Sequence, residues 1–280
     1  MPIVSVQNSE DTRLADYRDV PDPVLLRERG LFVAESRFVV RELLQHPTLV
    51  TRSVLATAAA YQSLHDLLDP ARVATVPVFV APHQLLKEPT GFRVHRGCLA
   101  IGERPTLATD SGLPALGRSS LIIGLEQVGN PDNLGSIFRN AAAFGAGCVV
   151  LEPHCCDPLY RKAIRTSLGA TLRVPYGEMP DWPDGLTRLR ELGYTTVAMT
   201  LHPDAEDLES FARVAPARVA VLFGAEGPGL RDETLPLTDR RVRIPIATGI
   251  DSLNVATASG IALYALTARR GRPAPEPLRG

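Results

Sequence analysis

Lysine is nearly absent from this 280-residue chain: Lys87 and Lys162 stand against 28 arginines. Base composition of the gene is reason enough for that bias, but arginine brings a planar fork of donors suited to phosphate. A charge excess is also missing, with 30 basic and 31 acidic residues and a net charge of −1. The total therefore argues neither for nor against a polyanionic partner, which would need a local patch. Cysteine is scarce: Cys98, Cys148, Cys155 and Cys156 include no CxxC pair, and His154 beside Cys155 is not a zinc spacing. The expectation is reduced thiols, a cytoplasmic location and no metal. No apolar run approaches the ~18 residues of a membrane span, and Met1 to Asp11 lacks the basic and apolar regions of a secretory signal. There is no internal repeat.

What is present is an ordinary globular composition, 45% hydrophobic and 22% charged. The stretch Arg104 to Ser120 carries Pro105, Gly112, Pro114 and Gly117 and keeps no period, so it reads as a linker. The expected organisation is an N-terminal domain over 1–105, a linker over 106–119, a second domain over 120–268 and a flexible tail over 269–280. The first part mixes elements: apolar Leu31 to Ala34, helical Phe38 to Leu44, strand Val50 to Ala56, helix Ala58 to Leu68 and strand Val76 to Val80. The second alternates regularly. Strands are expected at Ser120 to Leu125, Cys148 to Leu151, Thr171 to Val174, Thr195 to Met199, Val219 to Phe223 and Val242 to Ile246. Helices separate them, and the strands show little polar alternation. That pattern implies an α/β domain whose parallel sheet is covered on both faces. The last helix, Ser252 to Ala268, is apolar almost all round, which predicts a homodimer with this helix near the interface.

Three segments of the second part carry the chemistry. Gly124 to Gly145 (GLEQVGNPDNLGSIFRNAAAFG) runs from a strand end through a polar turn into a helix starting near Asn133. Arg139 lies off that helix's apolar stripe, close to where open α/β sheets bind ligands. Val221 to Leu230 (VLFGAEGPGL) follows a buried strand with glycines spaced G-x-x-G-x-G, unlike dinucleotide folds. Gly224 there permits close approach of a ligand to the backbone, and Glu226 is a carboxylate inside a glycine loop. Ile244 to Ile261 (IPIATGIDSLNVATASGI) ends a strand and opens the last helix, with Ser252 as the expected cap and Asn254 in the first turn. Taken singly, each has an ordinary reading: Arg139 a solvated helix residue, Asn133 and Ser252 caps, the glycines a turn.

Together the segments resemble the SpoU (TrmH) class of the SPOUT superfamily, RNA ribose 2′-O-methyltransferases that use S-adenosyl-L-methionine. N-x-G-x-I-x-R-x-A-x-A-F-G from Asn133, F-G-x-E-G-x-G-L from Phe223 and I-P-x-x-x-x-x-x-S-L-N-V from Ile244 stand in family order. Asp157 to Ala170 (DPLYRKAIRTSLGA) is similar to the segment between the family's first two motifs. The resemblance implies a deep trefoil knot holding the cofactor, with Leu222, Gly224, Gly229, Ile244, Ile246 and Leu253 around it. It implies a catalytic set of Arg139, Asn133, Glu226, Ser252 and Asn254. Arg139 stabilises the developing alkoxide or binds the phosphate, the three polar residues orient the ribose, and Glu226 pairs with Arg139. Leu31 to Leu44 and Gly91 to Pro105 resemble, more loosely, the α/β RNA-binding domain of many members. That likeness makes Arg37, Arg41, Arg93 and Arg96 candidate RNA contacts. Ribosomal RNA is favoured as substrate, with tRNA, or a non-catalytic RNA-binding role on the same fold, as the alternatives.

Overall fold

The computed structural model describes residues 3–18, 21–68, 75–87, 97–106, 116–247, 249 and 251–268. Nine of the residues expected in the linker, and the tail 269–280, lie outside these. The chain divides into two compact units, Met1–Thr106 with Asp157–Arg173, and Leu107–Cys156 with Val174–Gly280.

In the first unit, β1 (Val4–Ser5), β2 (Leu31–Glu35), β3 (Thr51–Ala56), β4 (Val78–Val80) and β5 (Cys98–Glu103) form a mixed sheet in the order β1-β4-β3-β5-β2. Its β2 and β3 run antiparallel to β5, and β4 runs parallel to its neighbours. The helix Arg37–Gln45 lays Val39, Val40, Leu43 and Leu44 on the sheet, one helical stripe at i, i+1, i+4 and i+5. The helix expected over Ala58 to Leu68 is regular only over Ala58–Gln62 and continues as turns.

The segment Asp157–Arg173, expected inside the 120–268 domain, groups with the first unit. The reason is burial. Leu159, Ile164 and Leu172 sit in the same core as Phe32, Val39 and Leu43. Arg161 adds polar anchors: its Nε donates to Glu35 at 3.0 Å and its backbone N–H to Asp22 at 2.9 Å. Arg104 pairs with Asp157 at 2.7 Å.

In the second unit, β6 (Leu121–Leu125), β7 (Val149–Leu151), β8 (Tyr176–Glu178), β9 (Thr195–Met199), β10 (Glu206–Asp207), β11 (Val219–Phe223) and β12 (Arg240–Arg243) form one sheet in the order β10-β12-β9-β11-β6-β7-β8. Every pairing is parallel. The central strands β6 and β11 are buried along their whole length, as a doubly covered sheet requires. Two strand expectations are corrected. Thr171 to Arg173 is helical, within Ala170–Arg173, Val174 lies in a bend, and the chain turns extended only at Tyr176. The strand expected at Val242 to Ile246 is instead Arg240–Arg243, since Pro245 has no N–H for a ladder and the chain must leave the sheet.

The helix Pro131–Phe144 starts two residues before Asn133; Asn130 caps it, accepting the Asp132 N–H at 2.9 Å. It runs parallel to the last helix, Val255–Thr267. Asn133 meets Asn254 at one end, Asn140 donates to Ser259 and the Ala256 carbonyl at 2.9 Å, and Phe144 meets the Tyr264 ring edge-on at 6.2 Å.

Because Ile164 is wholly buried in the first unit's core, Ile164→Ala is expected to cost about 2–4 kcal/mol. Urea denaturation of the full chain checks this, and a loss below about 1 kcal/mol would remove the segment from that core.

Candidate active site

The carboxyl ends of the central parallel strands open onto a cavity of about 570 Å3. Its walls are the loops Met199–His202 after β9 and Phe223–Leu230 after β11, together with Ile244, Ile246 and Ser252–Val255 at the start of the last helix. Apolar side chains dominate at Leu230, Leu235, Ile244, Ile246 and Leu253, while Glu226 and Asp232 supply carboxylates.

The glycine loop shapes one wall. A Cβ at Gly224 would stand 2.0 Å from the Gly229 carbonyl carbon, so no other residue fits while the loop folds back on itself. The Gly229 N–H donates to the Ala225 carbonyl at 3.0 Å and closes the turn. Gly224, Gly229, Ile244, Ile246 and Leu253 all line the cavity. Leu222 does not. It is fully buried in the core beside Trp182, and its Cδ2 fills the space a side chain at Gly124 would need. Alternation along β11 explains the correction: neighbouring side chains point to opposite faces, and Phe223, one residue on, reaches the cavity.

One amide gathers the polar groups. Asn254, not Ser252, is the N-cap of the last helix, its Oδ1 accepting the Ala256 and Thr257 N–H groups at 2.9 and 3.3 Å. Its Nδ2 donates to Asn133 Oδ1 at 3.0 Å and to Glu226 Oε1 at 2.7 Å. All three segments singled out in the sequence thus meet at one side chain. Ser252 lies exposed on the cavity wall. Glu226 pairs with Asn254 rather than with Arg139. Arg139 lies on the exposed side of the Pro131–Phe144 helix and makes no ion pair or hydrogen bond among the described residues.

The loop Met199–His202 was missed by the sequence reading, although it follows β9 at the same carboxyl edge, the position that pointed to the other two loops. In the first unit, Arg37 is exposed. The Arg41 fork is taken by Asp66, at 2.8 and 2.6 Å. Arg93 and Arg96 lie outside the described residues.

The family model described as the SpoU rRNA Methylase family matches residues 120–264. The chain belongs to that family. It is therefore an RNA methyltransferase, and the family's region spans the cavity and the Asn254 joint. An uncharacterized tRNA/rRNA methyltransferase of Mycobacterium bovis is 39% identical over 95% of this chain and 92% of its own length. The 23S rRNA (guanosine-2′-O-)-methyltransferase RlmB of Nitrosomonas europaea is 30% identical over 81% of this chain and 86% of its own. The fold matches that of an AdoMet-bound rRNA methyltransferase from Sinorhizobium meliloti with a TM-score of 0.78, covering 94% of this chain and 97% of that one at 23% identity.

Asn254→Ala removes both the cap and the joint, so the SpoU-family chain should lose about 1 kcal/mol of stability. Asn254→Ser, which still caps, should recover most of it. Urea midpoints of the two variants check this; equal losses would mean the cap is not what Asn254 contributes to stability.

Proposed function

We propose that this protein methylates the 2′-hydroxyl of a ribose in structured RNA, ribosomal RNA in preference to tRNA, using S-adenosylmethionine. The observation that carries the reading is the Asn133–Asn254–Glu226 joint at a cavity wall, with an uncommitted arginine on the helix that supplies Asn133. Relatives named as tRNA/rRNA and 23S rRNA 2′-O-methyltransferases support it.

The cavity suits the cofactor. Its volume lies in the ~300–1,000 Å3 range of small-molecule sites, and an apolar lining with exposed loop backbone at Gly224 to Gly229 matches a flat base joined to polar groups. Ile244, Ile246 and Leu253 would hold it by apolar contact, and Gly224 and Gly229 by their backbone. When bound, S-adenosylmethionine supplies an electrophilic methyl group on a sulfonium. The same reading assigns the loops 224–230 and 244–254 to a trefoil knot.

The chain's own residues do the rest. Asn133 and Ser252 orient the ribose, Asn254 holds Asn133 and Glu226 in register, and Glu226 offers a carboxylate to the ribose hydroxyls. Arg139 cannot take the proton, since a charged guanidinium has no acceptor lone pair. Its work is electrostatic: it holds the adjoining phosphate or the attacking oxygen and stabilises negative charge as the hydroxyl proton leaves to phosphate or water. In-line transfer then gains chiefly from positioning.

In the first unit, Arg37, Arg93 and Arg96 serve as RNA contacts, with Arg41 able to join only by releasing Asp66. The active form is a homodimer. Ile261 and Tyr264 remain 39% and 54% exposed on the last helix, an apolar line three residues apart that a second copy would cover. The protein acts in the cytoplasm, where the buried thiols of Cys98 and Cys148 stay reduced. Among the described residues no helix is long and apolar enough to cross a membrane.

Two outcomes are expected. Arg139→Ala should fold and bind cofactor normally yet lose about 10²–10³ in single-turnover methyl transfer at saturating cofactor, with little rescue by Arg139→Lys; a rate within about threefold of wild type would return Arg139 to a solvated helix residue. Sedimentation at micromolar concentration should give a dimer, and Tyr264→Glu should shift it towards monomer; a wild-type monomer would contradict the assembly.

A further inference from the structure

Glu126 follows β6 directly and is fully buried, at 0% exposure. Its Oε2 accepts the Trp182 indole N–H at 3.0 Å. Its Oε1 accepts two donors of one residue, the Arg231 backbone N–H at 3.1 Å and Arg231 Nε at 2.5 Å. Arg231 closes the glycine loop: Leu230 and Asp232, its two neighbours, both line the cavity. Chain-wise, Glu126 also begins the turn that leads to Asn130 and Asn133. Gln127, at φ 54°, donates its N–H to Glu152 at 3.1 Å, and Glu152 is itself buried at the end of β7. Two buried carboxylates therefore fix the turn before Asn133, and one of them also grips the loop that walls the cavity.

Burying a carboxylate costs desolvation, and replacing such a pair with apolar groups is often neutral or better for stability. What an apolar core cannot supply is direction. Glu126 spends both oxygens on donors from two different parts of the chain and pins the backbone of Arg231 as well as its side chain. Resting on the cofactor reading above, we propose that Glu126 is a positioning residue that locks the cofactor loop, through Arg231, to the turn carrying Asn133. The loop and the ribose-directed amides are then set by one contact, and order in the loop is transmitted to the indole of Trp182.

Trp182 is the chain's single tryptophan, so its emission reports on this contact. The test titrates S-adenosylhomocysteine into the full-length protein, reading affinity by calorimetry and the Trp182 response by fluorescence. Wild type should bind and change its emission with the same Kd. Glu126→Gln should melt cooperatively, bind at least about tenfold more weakly, as losing one hydrogen bond to a charged group implies, and lose the emission response. Arg231→Gln, at a side chain that is partly exposed, reads the same link from its other end and serves if Glu126→Gln does not fold. The double variant should bind no more weakly than the weaker single one, because both residues act through one contact. Unchanged affinity in either folded single variant, additive losses in the double, or wild-type binding without an emission change would overturn the proposal. If wild type does not bind S-adenosylhomocysteine, the cofactor reading itself fails and takes this inference with it.

Discussion

A single amide side chain, Asn254, has all of its capacity committed. Its oxygen closes the first turn of the last helix, and its nitrogen donates to Asn133 and Glu226. Cap geometry is dictated by the backbone, so the direction of the remaining N–H groups is dictated too. That is why this position takes asparagine. A carboxylate would cap but could not donate to Glu226, and a hydroxyl would cap but carries one donor where two are used. Asn133 and Asn254 thereby share the rigidity of two parallel helices, and Glu226 is held to them from its loop.

Arg139 differs from the arginines that carboxylates already hold. Arg41 is held by Asp66, Arg188 by Asp181 and Arg231 by Glu126 and Glu233. Their forks are already spoken for. Arg139 lies in solvent, so its charge costs nothing in desolvation and remains free for an anion. A buried arginine with a carboxylate partner would have to break that pair before meeting RNA.

Much of the second unit was legible because its signals are local. Buried strands such as Leu121–Leu125 and Val219–Phe223 are short apolar runs, and glycine at 224 and 229 marks a tight return. Thr171–Val174 misled because two β-branched residues and a leucine stand within four positions, while tertiary packing of Thr171 and Leu172 holds the stretch to Arg173 helical. Ser252 looked like the cap because it precedes the apolar run; Asn254 won the position because it alone reaches both partners. What the sequence could not show was long-range. Nothing local says that Arg161 reaches back to Glu35, that Asp66 occupies Arg41, or that Glu126 meets a loop 105 residues downstream. Membership of Leu159 and Ile164 in the first core has the same character, since a helix stripe is visible in sequence but its destination is not.

On the proposed function, the grouped amides and Arg139 act on a ribose hydroxyl and not on a base. The direct measurement incubates the purified full chain with methyl-labelled S-adenosylmethionine and total RNA from a strain lacking the gene, then digests the RNA to nucleosides and separates them. Label confined to a 2′-O-methylnucleoside, from ribosomal RNA, is the predicted result. Label on a base-methylated nucleoside would contradict it.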